Sequence, residues 1–349
     1  MPHPGLKKII LYASLGFLVV FIFFAIKIYR TVLVPNTKFE SAEAFVYIPT
    51  NANYETVKES LLPLVKDWDT FDAWAQQQNY PIKIKSGKFR LEKGMTNFQI
   101  YLALRKSVPV KVTFNNIERL ENFASRISKL IEADSASIVE AFQNEKFLLE
   151  HQLTKEEAFT LLLPNTYEFY WDTPVSKFRE KMSKEYWKFW NGTRAEKAKA
   201  LGLTPAQVTT LASIVHKESV KADERPRIAG VYLNRLQKGM PLQADPTVIF
   251  AYKLQNQNFE EEIKRVTANL LQTNSAYNTY RNNGLPPGPI FMPDVSAIDA
   301  VLNPEQHNYM YFCASTTRFG YHDFAENYAE HQKNAKNYQA WLQTQGITK

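Results

Sequence analysis

The sequence of 349 residues contains a single cysteine, Cys313. No internal disulfide is possible, and no cysteine-based metal site can form. Within Tyr309-Met310-Tyr311-Phe312-Cys313-Ala314 the thiol reads as a small buried strand residue, the usual fate of a free cysteine, and a catalytic thiol is the weaker reading. Histidine is also scarce. His151, His216, His307, His322 and His331 show no close ligand spacing, so metal hydrolysis finds no support and no cofactor is expected. Internal repeats and low-complexity tracts are absent. The net charge of +7 is concentrated at one end: residues 1–30 hold four Lys/Arg and no acidic residue, leaving 38 basic against 35 acidic residues in the body. A near-neutral body without a basic stripe argues against a nucleic-acid partner.

Against these absences stand length, aromatics and one long apolar run. A chain of this length exceeds one minimal core, so two or more folded units are expected. The hydrophobic fraction of 45% is ordinary, whereas the 13% of aromatic residues, with 18 Tyr and 23 Phe, is high. Such residues fill cores, and they also suit a groove that receives the apolar faces of sugar rings. Residues 9–26 carry no charge and no Pro, interrupted only by Tyr12 and Ser14, with Lys7 and Lys8 before and Lys27 and Arg30 after. The run approaches the thickness of a hydrocarbon layer. A cleaved signal peptide begins the same way, but no small-x-small site follows before Lys27-Ile28-Tyr29-Arg30, and an uncleaved anchor is the expectation. Basic residues flank both ends, so charge alone does not set orientation. If the short N-terminal tail stays inside, nearly the whole protein lies on the far side.

The expected organisation is a cytoplasmic tail at 1–8, a membrane helix at 9–29 and a polar linker at 30–44 containing Pro35, Asn36 and Thr37. A small α+β unit at 45–115, a helical connecting segment at 116–150 and a larger mixed α+β domain at 151–349 follow. Strands are expected at Phe45-Val46-Tyr47-Ile48, at Ile82-Lys83-Ile84-Lys85 before a turn at Ser86-Gly87-Lys88, and from Val108 to Phe114. Thr50-Asn51-Ala52-Asn53 and Gly94-Met95-Thr96-Asn97 read as helix starts. Leu120, Phe123, Ile127, Leu130 and Ile131 recur at helical spacing, a core face.

Thr204-Pro205-Ala206-Gln207 is a capping box with Pro at the first helical position. The helix it starts carries Val208, Leu211, Ala212, Ile214 and Val215 on its apolar face. At roughly 100° per residue, Glu218 falls about 20° from Leu211, inside that stripe, while His216 and Lys217 point elsewhere. A carboxylate there is unfavourable unless paired or functional. It either pairs with Arg225 or Arg235, joining two helices, or projects into a pocket where desolvation leaves it protonated near neutral pH. Downstream, Asp245-Pro246 has a plain explanation as cap and first turn, while Gln243 has none. Ala276-Tyr277-Asn278-Thr279-Tyr280 precedes the stiff run Asn283-Gly284-Leu285-Pro286-Pro287-Gly288-Pro289, which suits a preformed groove for a polar polymer or simple loop packing.

Several of these motifs, in this order, strongly resemble the MltG (YceG-like) endolytic murein transglycosylase family. They are Ala212-Ser213-Ile214-Val215-His216-Lys217-Glu218, Glu224-Arg225-Pro226, the run from Ile228 to Leu236, Pro241-Leu242-Gln243-Ala244-Asp245-Pro246-Thr247, Tyr277-Asn278-Thr279-Tyr280, the run from Gly284 to Ile290, and His322-Asp323-Phe324. The resemblance covers roughly residues 150–345. It implies a single-pass protein of the bacterial inner membrane, a LysM-like subdomain at 45–115 and a catalytic domain on the periplasmic or wall side. It also implies non-hydrolytic cleavage within glycan strands that leaves 1,6-anhydro-MurNAc ends, near membrane-bound peptidoglycan synthases. The family's catalytic acid maps to Glu218, and Asn234, Arg235, Gln243, Asp245, Tyr167, Tyr277, Asn278, Thr279, Tyr280 and His322 are its expected substrate-binding residues. Two departures stand out. His216 replaces the first acid of the family's Glu-Lys-Glu, and Asn165 replaces the acid of Phe-Pro-Asp-Thr-Tyr.

With one carboxyl in a clear position, the expected nucleophile is the substrate's own 6-hydroxyl. Two other readings remain open: a water-using muramidase with Asp245 or Glu224 as base, and a non-catalytic anchored scaffold that binds peptidoglycan.

Overall fold

A computed structural model describes residues 4–346. Its α+β chain divides into two units. The first comprises the residues up to Val112 together with Lys129–Ala133 and Glu168–Thr173, and the second comprises the rest.

Helix α1 (Pro4–Val32) includes the 24 residues Ile9–Val32, whose most apolar 18-residue stretch has a mean hydropathy of 2.8, and which are long and apolar enough to cross a membrane. Strand β1 (Glu43–Ile48), helices α2 (Tyr54–Leu61) and α3 (Trp68–Gln77) and strand β2 (Gly87–Glu92) then form a β-α-α-β unit, with β1 and β2 antiparallel and Val46 opposite Phe89. The alternation of side chains puts Val46, Ile48, Phe89 and Leu91 on one buried face against Val57, Leu61, Phe71 and Ile100. Asn53, Asp67 and Thr96 cap α2, α3 and α4 (Asn97–Ala103), the last with a full capping box to Gln99.

Two expectations need correction in this unit. Residues 82–85 are not a strand: Asn79 in the left-handed region and Pro81 set a 3-10 turn at Tyr80–Ile82, Ile82 is 82% exposed, and the strand starts at Gly87. Nor are residues 33–38 a loose tether. Pro35 bridges Thr96, Thr37 bridges Val65, and the Asn36 N–H donates to the Met95 carbonyl at 2.8 Å.

Strand β3 (Pro109–Phe114) pairs with β4 (Asn165–Tyr170), and both contribute residues to each unit. Between them run three short helices, α5 (Leu120–Ile127), α6 (Ser135–Phe142) and α7 (Glu145–Glu150). The helical segment expected at 116–150 is divided into three: α5 ends at Ile127, and the side chains of Asp134 and Asn144 accept hydrogen bonds from the N–H groups of Ser137 and Phe147 to start α6 and α7. The second unit continues with α8 (Val175–Phe189), α9 (Thr193–Ala200), α10 (Pro205–Glu218), α11 (Arg225–Gln237), α12 (Asp245–Gln255), α13 (Ala268–Leu271) and α14 (Val295–Leu302). The antiparallel hairpin β5 (Tyr311–Ala314) and β6 (His322–Ala325) and the terminal helix α15 (Tyr328–Thr344) close it. Helix α10 is its centre, packed by α11, α12 and α14, with Val208, Leu211, Ala212, Ile214 and Val215 all fully buried.

Candidate active site

The capping box of α10 forms as expected, with Thr204 and Gln207 exchanging side-chain to backbone bonds and Pro205 in the first turn. The helix ends on Glu218. Ser219 is extended (φ −138°), and the chain leaves toward α11, so the Glu218 side chain is delivered at a helix C-terminus. That end carries the negative pole of the helix, which disfavours an anion. Glu218 opens on a cavity of about 380 Å³ walled by α11, the loop before α12, Tyr280, hairpin β5–β6 and the start of α15.

Neither arginine pairs with Glu218. Arg225 is spent on Asp294, with Nη1 2.8 Å from Oδ1, and Arg235 donates to the carbonyls of Met310 at 2.6 Å and Leu242 at 2.7 Å. Instead the buried Tyr232 hydroxyl of α11 donates to Glu218 Oε1 at 2.7 Å. Burial pushes the Glu218 carboxyl up from 4.5 to about 7. The Tyr232 hydrogen bond and the electrostatic influence of His322 and Arg235 pull against that rise, and the charge of Asp245 adds to it. A carboxyl poised there holds a proton in part of the population at neutral pH and is able both to give one and to take one.

Two other carboxylates near the cavity, Asp245 and Glu224, are already engaged. Asp245 Oδ1 accepts from the Tyr280 hydroxyl at 2.6 Å. Glu224 is 4% exposed: its Oε1 accepts the His322 N–H at 2.8 Å, and its Oε2 lies 2.8 Å from His322 Nδ1. Burial pushes Glu224 up, but the hydrogen bonds and electrostatic influence of His322, with help from the Ser219 hydroxyl, outweigh it and hold the carboxyl below its usual value. Among the described residues no cluster of His, Cys, Asp and Glu is suited to a metal ion.

The loop before α12 holds an uncommon backbone. Gln243 has φ +52°, the left-handed region that side-chain-bearing residues seldom adopt, and this conformation is stabilised from outside. Its N–H donates to the Thr279 carbonyl at 3.1 Å, and the next N–H, of Ala244, donates to Thr279 Oγ1 at 3.0 Å. Asn278 ties the Thr279 segment in turn, donating to the carbonyls of Leu271 and Thr273.

The sequence pattern of the YceG-like family matches residues 46–337. The chain belongs to the YceG-like family. Its relatives include proteins named endolytic murein transglycosylase from Streptococcus pneumoniae strain D39, 29% identical over 324 residues, and from Bacillus subtilis strain 168, 27% identical over 331 residues. The pneumococcal alignment takes in 83% of this chain but 57% of its relative, so the chain spans little more than half of that protein's length. The Bacillus alignment covers 88% of both chains. A crystal structure of a yceG-like protein from Listeria monocytogenes superposes with a TM-score of 0.57 at 26% identity, covering 84% of this chain and 98% of that one.

Within this YceG-like protein the sequence-named residues separate into groups. Glu218, Arg235, Gln243, Asp245, Tyr280 and His322 line one cavity. Asn278 and Thr279 stand behind it and hold the Gln243 loop. Asn234 is not at the cavity: its amide donates to the carbonyls of His307 and Tyr309 and fastens α11 to the strand approach. Tyr167 stacks on Phe114 and donates its hydroxyl to the Leu163 carbonyl, while Tyr277 packs against Phe250 beside a separate cavity. Asp245 does not cap α12, since Ala244 occupies that position and Asp245 opens the helix with its carboxylate turned to Tyr280. Cys313 lies on a strand as expected, but it faces the cavity at intermediate exposure instead of the core. Burial and the nearby Asp323 raise its thiol, which opposes thiolate formation.

Sequence reasoning missed Tyr232, Tyr311, Phe312, Tyr328 and His331 as cavity residues. Tyr232 sits in a helical apolar stripe where nothing distinguishes it from core. Its hydroxyl makes a test available. Removing a hydrogen bond that favours the charged form raises the Glu218 pKa, so Tyr232→Phe is expected to move the alkaline limb of the pH–rate profile upward. Asp245→Asn removes a repelling charge and is expected to move that limb downward. Initial rates across pH 5–9 check both directions.

Proposed function

We propose that the chain is an endolytic lytic transglycosylase that cuts MurNAc–GlcNAc bonds within peptidoglycan strands, leaving 1,6-anhydro-MurNAc ends. The observation that carries this reading is Glu218: a carboxyl with its pKa brought to about 7, held by one tyrosine hydroxyl and facing an open cavity, while Asp245 and Glu224 nearby are bonded to Tyr280 and His322. The names of the pneumococcal and Bacillus relatives support the same substrate.

Glu218 protonates the glycosidic oxygen as the bond to the anomeric carbon breaks. Its carboxylate then takes the proton of the muramoyl 6-hydroxyl, which closes on the same carbon. The proton balance is neutral over the cycle, and no water is consumed. Because the nucleophile is part of the substrate, positioning supplies much of the rate. Arg235, Gln243 and Tyr280 orient the sugars, with the rings of Tyr311 and Phe312 offering apolar faces. The second carboxylate that ordinary glycosidases need for a water or covalent route is not required.

Helix α1 serves as a single-pass anchor in the plasma membrane of a bacterium, with the catalytic unit on the periplasmic or wall side. The β-α-α-β unit takes the place of the LysM-like glycan-binding subdomain. Cutting there would end the growth of nascent strands beside membrane-bound synthases. Incubation of the purified protein with isolated peptidoglycan, followed by muropeptide mass spectrometry, tests the reading. New anhydro ends within strands are expected, whereas binding to the wall with no new ends would leave only a scaffold.

A further inference from the structure

We infer that the first unit rests directly on the bilayer, with the exposed apolar face of α4 and its basic surroundings set into the lipid headgroup layer. The inference rests on the reading of α1 as a membrane helix.

The connection between α1 and the unit behind it is tied by hydrogen bonds. The side chain of Asn97, the first residue of α4 and fully buried, donates to the Thr31 carbonyl of α1 at 2.8 Å. Asn36 donates in turn to Asn97 Oδ1 at 2.6 Å and to the Asp67 carbonyl at 2.8 Å, and its own Oδ1 accepts the Asp67 N–H at 2.8 Å. One short segment is thus bonded to the starts of both α3 and α4, and α1 packs against both helices. Swivelling of the unit on a flexible stalk would break all of these bonds.

Depth follows from length. The 24 residues Ile9–Val32 extend about 36 Å at 1.5 Å per residue, a little more than the roughly 30 Å of a hydrocarbon core. Thr31 therefore lies within about a turn of the lipid boundary, and α4 starts at its side. On α4, Phe98 and Leu102 are four residues apart, share a face, and are 42% and 47% exposed, and Phe98 packs edge-on against Trp74 of α3. Leu33, 63% exposed, continues the apolar surface from the end of α1. An aromatic pair beside exposed aliphatics at this level is the composition that favours a membrane–water interface.

Charge completes the match. Residues 80–112 hold eight Lys/Arg and a single acidic residue, Glu92. Arg90 and Lys93 pair with acids, but among the described residues no ion pair occupies Lys83, Lys85, Arg105 or Lys106. These four are exposed, and Lys85 Nζ reaches the Arg105 carbonyl at 3.5 Å, so the two basic segments lie together just past the end of α4, next to Ile82. Unpaired cations beside exposed apolar side chains fit an anionic lipid surface, which attracts the charges while the apolar groups enter the interface.

The lone cysteine simplifies the test. In full-length Cys313→Ser protein, single cysteines at Leu102, at Val19 within α1 and at Glu55 on the exposed side of α2 are labelled with a fluorophore. Each protein is reconstituted into phosphatidylglycerol-containing vesicles carrying a lipid-attached quencher. The Val19 label must be quenched; if it is not, the anchor reading itself fails. With Val19 quenched, Leu102 is expected to be quenched at least about threefold more than Glu55, and less so in purely zwitterionic vesicles. Equal quenching at Leu102 and Glu55 overturns the inference while leaving the anchor intact.

Discussion

Glu218→Gln is expected to lower strand cleavage by at least about 10³-fold, because in the proposed reaction one group carries both proton transfers. The same change is expected to stabilise the protein, but only at neutral and alkaline pH. The sign follows from the raised pKa of the folded state, about 7 against 4.5. Below about pH 4.5 both states hold the proton, and the carboxyl costs the folded protein nothing. As pH rises from about 4.5 to about 7 the unfolded chain releases its proton first, so the folded state loses stability through that window and stays penalised above it. Glutamine cannot ionise and escapes the penalty, a gain of up to about 3 kcal/mol at pH 8 that disappears near pH 4.5. Denaturant melts of both proteins at the two pH values check this. A Gln variant that is inactive but equally stable at pH 8 would mean that Glu218 is not buried as a strained acid.

The second large effect concerns the clamp behind helix α10. Arg225 is 5% exposed and makes three contacts: Nε donates to the Ser219 carbonyl, and Nη1 to Asp294 and to Ser296. Asp294 caps α14 through the Ala297 N–H, and its own N–H donates to His216 Nδ1. Burial pushes the Asp294 carboxyl up, but His216, Arg225 and Ser296 outweigh it and hold it well below the usual carboxylate range. Arg225→Met is therefore expected to cost about 2 kcal/mol, since it takes the arginine from the half-exposed Asp294, which keeps Ser296 and the Ala297 N–H, and frees the buried carbonyl that follows Glu218. The denaturation midpoint should fall with an unchanged slope. A loss below about 0.5 kcal/mol would show that the clamp does not hold the end of α10.

This clamp also accounts for the departure at His216. The position that carries the first acid in the resembling motif lies on the α14 side of the helix, where its side chain accepts from a backbone N–H. It is not part of the Glu218 cavity, and an acid there is not needed for the proposed chemistry.

The features legible in the sequence were those fixed by local chemistry. The capping box, Pro205 and the apolar stripe define α10, and the same periodicity exposes Glu218 as a carboxyl on the wrong face. The left-handed Gln243 was visible only as a residue without a local explanation. What stayed hidden depends on partners distant in sequence. Tyr232 looks like any core tyrosine until Glu218 is brought to its hydroxyl. Asp245 looks like a cap until Tyr280, 35 residues on, takes its carboxylate. The alternation at residues 82–85 suggested a strand, yet no partner strand lies there, and Pro81 turns the chain first. Residues 33–38 have the composition of a linker, and only bonds to residues 64–97 make them part of the fold.

Cleavage of isolated peptidoglycan in ¹⁸O-labelled water tests the lone acid/base most directly, with muropeptides read by mass spectrometry. A Glu218 that closes the muramoyl 6-hydroxyl onto the anomeric carbon yields new ends one water lighter than a reducing end and free of ¹⁸O. Reducing ends carrying ¹⁸O would contradict it and assign the reaction to water activated by a second carboxylate.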